Sequence, residues 1–147
     1  MKLDGEVTIQ ADRQKVWEFL TDAESVSQCA PGLESMVIIE PDKQFEAVVA
    51  IGFGTIKVRF VTNVRWVELD APNLAKMTAH GTAPGSAADV NGEMRLEDTP
   101  GGGTRMTWSA DVVVSGTITS LASRMMGSVS KKIANNFFDC VRGVLET

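Results

Sequence analysis

The chain offers one histidine, two cysteines and scattered carboxylates as material for chemistry. A nucleophile and its base need a histidine, or a close substitute, beside a cysteine or serine. The only histidine, His80, lies in the stretch Met77-Thr78-Ala79-His80-Gly81. There its ordinary role is that of a hydrogen-bonded sheet residue, and its functional role would be a polar contact inside a pocket. Cys29 and Cys140 stand 111 positions apart, and zinc needs about four clustered ligands, so no metal site is expected. Both cysteines are expected as packed thiols, Cys29 before a turn and Cys140 beside an apolar helical stripe. Asp89, Glu93 and Asp111 occur singly on strands, and none forms a recognisable acid/base couple. Gly52-Phe53-Gly54 lacks the following helix of a phosphate loop and reads as a hairpin with Phe53 at its tip, guarding a pocket mouth or capping the core.

The elements that carry these residues follow from periodicity. Leu3, Gly5, Val7 and Ile9 alternate with Asp4, Glu6, Thr8 and Gln10, which predicts a strand over 3–9 with one wet face. Ala11-Asp12 supplies an N-cap, and Val16, Trp17, Phe19 and Leu20 follow at helical spacing up to Thr21-Asp22. A second short helical turn over 23–29 is stopped by Ala30-Pro31-Gly32, because proline drives the residue before it out of helical angles. Strands are then expected over 33–40, 44–51, 55–69, 74–81, 85–96 and 104–115, separated by turn-forming residues, with a meander as the simplest topology. In the last strand Met106, Trp108, Ala110, Val112 and Val114 share one face, opposite Arg105, Thr107, Ser109 and Asp111.

After Gly116 the period changes from two to 3.6. Ile118, Leu121, Ala122, Met125, Val129, Ile133, Phe137, Val141 and Val144 then form one stripe, which predicts a long amphipathic helix. Arg124, Lys131, Lys132, Asn135, Asp139 and Arg142 are expected to face water. A net charge of -5 disfavours nucleic acid as a partner, because phosphate binding needs a basic footprint. The acidic N-terminus does not resemble a signal peptide, the cysteines are few, and no stretch approaches the roughly 18 apolar residues of a membrane span. The expected location is therefore the cytoplasm, with peripheral contact at the inner membrane face as the one membrane role left open.

One strand, two short helices, six strands and a long terminal helix is the order found in the START-like (SRPBCC, helix-grip) superfamily. Within it, Ala11-Asp12-Arg13-Gln14-Lys15-Val16-Trp17-Glu18-Phe19-Leu20-Thr21-Asp22 followed by Cys29-Ala30-Pro31-Gly32-Leu33 resembles the family of the carbon monoxide dehydrogenase G subunit. Gly85 and Gly92 in a later strand, and the Gly-rich turn before the Trp108 strand, look similar too. The resemblance implies an α+β helix-grip domain over 1–147, with a curved antiparallel sheet of about seven strands around the terminal helix. It also implies an accessory protein that helps a molybdenum-containing carbon monoxide dehydrogenase reach the membrane and handles a quinone-like electron acceptor. Many members of the family carry a flexible C-terminal extension that contacts the membrane, whereas this sequence closes on Leu145-Glu146-Thr147, directly after the expected helix.

A bent sheet gripping one helix cannot fill its interior with side chains, and Ala83, Gly85, Ala87, Ala88 and Gly92 add little bulk. The expectation is an apolar cavity lined by Phe53, Trp66, Met77, Val90, Trp108, Met125 and Phe137, with its mouth near Phe53 and the Pro31-Gly32 turn. It would hold a lipophilic small molecule, with no cofactor and no catalytic residue. The alternative is a cyclase- or hydrolase-type enzyme in which His80, Asp89 or Arg59 acts on a polyketide-like or aromatic substrate.

Overall fold

A computed structural model describes residues 1–146. The elements run β1 (Lys2–Ile9), α1 (Arg13–Thr21), α2 (Ala23–Ser27), β2 (Leu33–Glu40), β3 (Gln44–Phe53), β4 (Ile56–Asp70), β5 (Leu74–Ala83), β6 (Ser86–Asp98), β7 (Thr104–Gly116) and α3 (Thr119–Leu145). All seven strands form one antiparallel sheet in the order β1-β7-β6-β5-β4-β3-β2. The meander thus holds from β2 to β7, while β1 leaves its sequence neighbour and closes the far edge against β7. The two short helices make that jump, carrying the chain from one edge of the sheet to the other.

Local chemistry explains the boundaries. The Asp12 carboxylate accepts the Lys15 backbone N–H at 2.8 Å and starts α1, satisfying one of the orphan donors of its first turn. At the other end of the chain, Gly116 has φ +92 and a Cβ there would lie 2.1 Å from the Gly85 carbonyl oxygen. Only glycine fits this corner, where β7 ends three residues before the 27-residue helix α3. Ser86 and Thr117 hydroxyls lie 3.0 Å apart beside it, and the Ser86 hydroxyl also accepts the Ile118 N–H.

The concave face of the sheet is filled from one end. Val16, Trp17, Phe19 and Leu20 of α1 pack with Ile9, Leu96, Met106, Val141 and Leu145 into a single core cluster. Ile9, Val16 and Val141 are fully enclosed. Thr104, the one fully buried polar side chain of this group, donates to the Ala11 carbonyl at 2.8 Å, which removes the cost of burying a hydroxyl.

Cys29 and Cys140 are not packed thiols: they form a disulfide with Cα atoms 5.5 Å apart, tying the end of α2 to α3. Val144 does not continue the buried stripe and is 42 % exposed, because Val141 and Leu145 already meet the core and a residue between them turns outward.

Candidate functional site

The half of the concave face that α1 does not reach encloses a cavity of about 430 Å³, between the sheet and the middle of α3. This lies within the range of about 300–1,000 Å³ common for small-molecule sites. The register explains its walls. Val90 pairs with Val112 and with Ala79, and Ala88 pairs with Val114 and Gly81, so these residues form two inward-facing rungs. Thr62 opposite Gly81 and Val49 opposite Phe60 extend the wall into β4 and β3. The helix closes the space with Met126, Ile133 and Phe137, and Phe137 meets Phe138 edge-on at 5.0 Å. No lining residue is titratable, and only Thr62 and Ser130 carry hydroxyls.

Trp108 lies where the cavity meets β1. An added Cβ on Gly5 would come within 2.7–2.8 Å of the indole, so the ring lies flat over the one residue of β1 that leaves room for it. Phe53 is 2 % exposed and belongs to the wall, which makes it a cap on the interior and not an aromatic held out at a hairpin tip.

Of the residues expected around the cavity, Phe53, Val90, Trp108 and Phe137 are on its wall, and Trp66, Met77 and Met125 are not. Trp66 and Met77 have the right face but the wrong level. They pair with each other, and Met77 pairs with Gly92, one rung nearer the α1 core. Met77 covers Gly92 there, its sulfur 3.0 Å from where a Cβ would be, so the bareness of Gly92 is used up by packing. Met125 lies beside the β3–β4 turn, its Cε 3.3 Å from a Cβ built on Gly54, and its neighbour Met126 faces inward in its place. Among the small residues singled out in the sheet only Ala88 lines the space, and Pro31 and Gly32 do not border it. Val112 and Val114 line the space although they were not among the residues expected there, and the signal for them is the face they share with Trp108 in the alternation of β7.

His80, Asp89 and Arg59 all lie on the convex face, away from the cavity. His80 Nδ1 and the Asp89 carboxylate are 2.6 Å apart on adjacent strands. Arg59 grips both carboxylate oxygens of Glu34, and this hydrogen bonding holds the Glu34 carboxyl below its ordinary range and raises the Arg59 guanidinium. Parity accounts for the placement, since His80 alternates with the inward Ala79 and Gly81. No group of three or more metal-ligating side chains occurs among the described residues, and no helix among them is long and apolar enough to cross a membrane.

A second, polar groove runs beside the cavity between β1 and α3. It is bordered by Asp4 and Glu6 on the strand and by Lys131, Asn135 and Arg142 on the helix, and it shares Leu3, Trp108, Ser130, Ala134 and Phe138 with the apolar space.

The family model of CoxG, the carbon monoxide dehydrogenase G subunit, matches residues 5–146, nearly the whole chain. The chain belongs to the CoxG family. No curated protein matches this CoxG-family sequence. Among solved structures, a conserved protein from Geobacillus kaustophilus superposes with a TM-score of 0.90 at 20% identity, covering 99% of this chain and 95% of that one. The Zhui aromatase/cyclase from Streptomyces sp. R1128 gives 0.76 at 18% identity over 99% and 93%. A START superfamily protein from Mycobacterium smegmatis gives 0.74 at 13% over 99% and 97%. At these identities the similarity establishes the START-like helix-grip fold, in agreement with the seven-stranded sheet and long terminal helix.

Proposed function

We propose that this CoxG-family protein is a non-enzymatic carrier, residues 1–147 acting as one START-like domain, that holds a quinone-like lipophile in the cavity. It would serve a carbon monoxide dehydrogenase-type molybdenum hydroxylase and its recruitment to the membrane. The observation that carries the reading is the wall itself: twenty residues without one titratable side chain, beneath a helix that covers them. Such a wall can desolvate a hydrocarbon ring and tail but has no group to move a proton. Burying about 300 Å² of apolar ligand surface at about 25 cal/mol per Å² contributes about 7.5 kcal/mol, which sets a ceiling of a few micromolar on the affinity before ordering costs weaken it. Phe53, Val90, Trp108 and Phe137 are the contacts we assign to the ligand, joined by Met126.

The test is tryptophan fluorescence. Menadione bearing a geranyl chain should quench the wild type saturably, with Trp108 in contact, and Ala88→Phe should abolish the saturable part by filling the space. Unsaturable quenching of the wild type, or saturable quenching that survives Ala88→Phe, refutes the carrier reading.

A second reading is a cyclase- or hydrolase-type enzyme acting on a polyketide-like or aromatic substrate, and the likeness of the fold to the Zhui aromatase/cyclase speaks for it. The convex placement of His80, Asp89 and Arg59 leaves such an enzyme only the Thr62 and Ser130 hydroxyls and the Trp108 indole inside. Turnover of an aromatic polyketide that is lost in Ser130→Ala would favour it over the carrier.

A further inference from the structure

The groove between β1 and α3 has features that the carrier reading does not use. Met1 and Val112 exchange both backbone hydrogen bonds, at 2.9 and 2.8 Å. By the alternation of an antiparallel ladder, the odd residues of β1 bond to β7, and the N–H and C=O groups of Lys2, Asp4 and Glu6 point off the sheet edge toward α3. The helix engages that edge only at its far end, among the described residues: Arg142 Nε donates to the Thr8 carbonyl at 3.3 Å, and the Gln10 N–H donates to Glu146 at 2.7 Å. Opposite the unengaged stretch α3 presents Gly127, Ser130 and Ala134, and a Cβ added at Gly127 would meet nothing within 4 Å. The strand and helix are therefore spaced apart where the cavity lies and pinned together where it ends.

At the other end of the cavity the helix is closed down. Phe53 is buried, and the β3–β4 turn at Gly54 sits against Met125. Polar groups follow the same asymmetry. The Trp108 indole and the Ser130 hydroxyl stand at the boundary between cavity and groove, with Lys131, Asn135 and Arg142 beyond them. The Ser130 hydroxyl rests on the Gly127 carbonyl at 3.1 Å and can rotate to a ligand. A buried carbonyl must find a donor, and only this side supplies several.

We infer that the cavity opens sideways between β1 and α3, and that a bound amphiphile keeps its hydrocarbon chain inside while its carbonyl-bearing ring faces Trp108, Ser130 and Lys131. This rests on the carrier reading and adds the route and the orientation. Ring-outward binding leaves a redox-active head within reach of a docked partner without releasing the chain to water.

Stopped-flow quenching with menadione bearing a geranyl chain tests it on the intact protein. Gly127→Trp, which overhangs the groove and does not line the cavity, should slow association about tenfold, whereas Ile56→Trp at the β3–β4 turn should change it less than about twofold. Circular dichroism and melting temperature serve as folding controls for both. Lys131→Ala should weaken the quinone about threefold or more and leave the matching geranylated naphthalene, which has no carbonyls, unchanged. Wild-type rates in Gly127→Trp, or equal or greater slowing in Ile56→Trp, overturn the lateral opening. Equal effects of Lys131→Ala on both probes overturn the orientation. Absence of saturable binding in the wild type instead removes the carrier reading beneath both.

Discussion

Removing the Cys29–Cys140 bridge perturbs the fold at a place that can be calculated. The bond closes a loop across a separation of 111 residues, which spans β2 to β7 and most of α3. In the chain-entropy account, a loop of this length restricts the unfolded ensemble by about 16 cal/mol/K, or about 5 kcal/mol at room temperature. Against an unfolding entropy of about 2.1 cal/mol/K per residue, this amounts to roughly 15 °C in melting temperature for a chain of this size. The native state loses little, because Cys29 is buried beside the core and Val141, next to Cys140, is fully enclosed by its own packing. The assay is thermal unfolding followed by circular dichroism, with and without a phosphine reductant, on the wild type and on the double variant Cys29→Ser, Cys140→Ser. The wild type should fall by about that amount in reductant, and the double variant should melt near the reduced wild type with no response to reductant. An oxidised wild type that melts no higher than the double variant refutes the reasoning, as do two thiols that titrate freely in protein purified without reductant.

Two further outcomes follow from single contacts. Gly5→Ala places a Cβ within 2.8 Å of the Trp108 indole, so the ring must shift: stability should fall by about 1–3 kcal/mol in denaturant titration and the tryptophan emission should change, while an unmoved emission maximum would mean the ring is not seated on β1. Glu34, whose carboxyl Arg59 holds below its ordinary range, contributes stability that is present above the unfolded carboxyl's range and lost as pH falls through the folded one. The wild type should therefore melt slightly above Glu34→Gln at neutral pH and converge with it in acid, and a gap that widens on acidification would contradict the pairing. The effect is small because both side chains are exposed.

Periodicity alone determined the elements. The switch from two to 3.6 at Gly116 is local, since one glycine with no tolerable Cβ and a nine-member apolar stripe specify where β7 stops and α3 starts. Strand parity is equally local: it places Trp108 with Val112 and Val114 on the inner face, and His80, between the inward Ala79 and Gly81, on the outer one. Parity gives a face but not a height along the strand. Whether Trp66 borders the cavity or packs against the α1 core depends on which part of the sheet α1 covers, and that is set by the docking of β1 against β7, about a hundred residues away in sequence. Helical period has the same limit: Met125 and Met126 are adjacent, about 100° apart around the axis, and which one enters the cavity is decided by the Gly54 turn that occupies the other. The disulfide is the extreme case. Nothing near Cys29 or Cys140 in the sequence indicates a partner, and only the crossing of α3 over the end of α2 brings their Cα atoms to 5.5 Å.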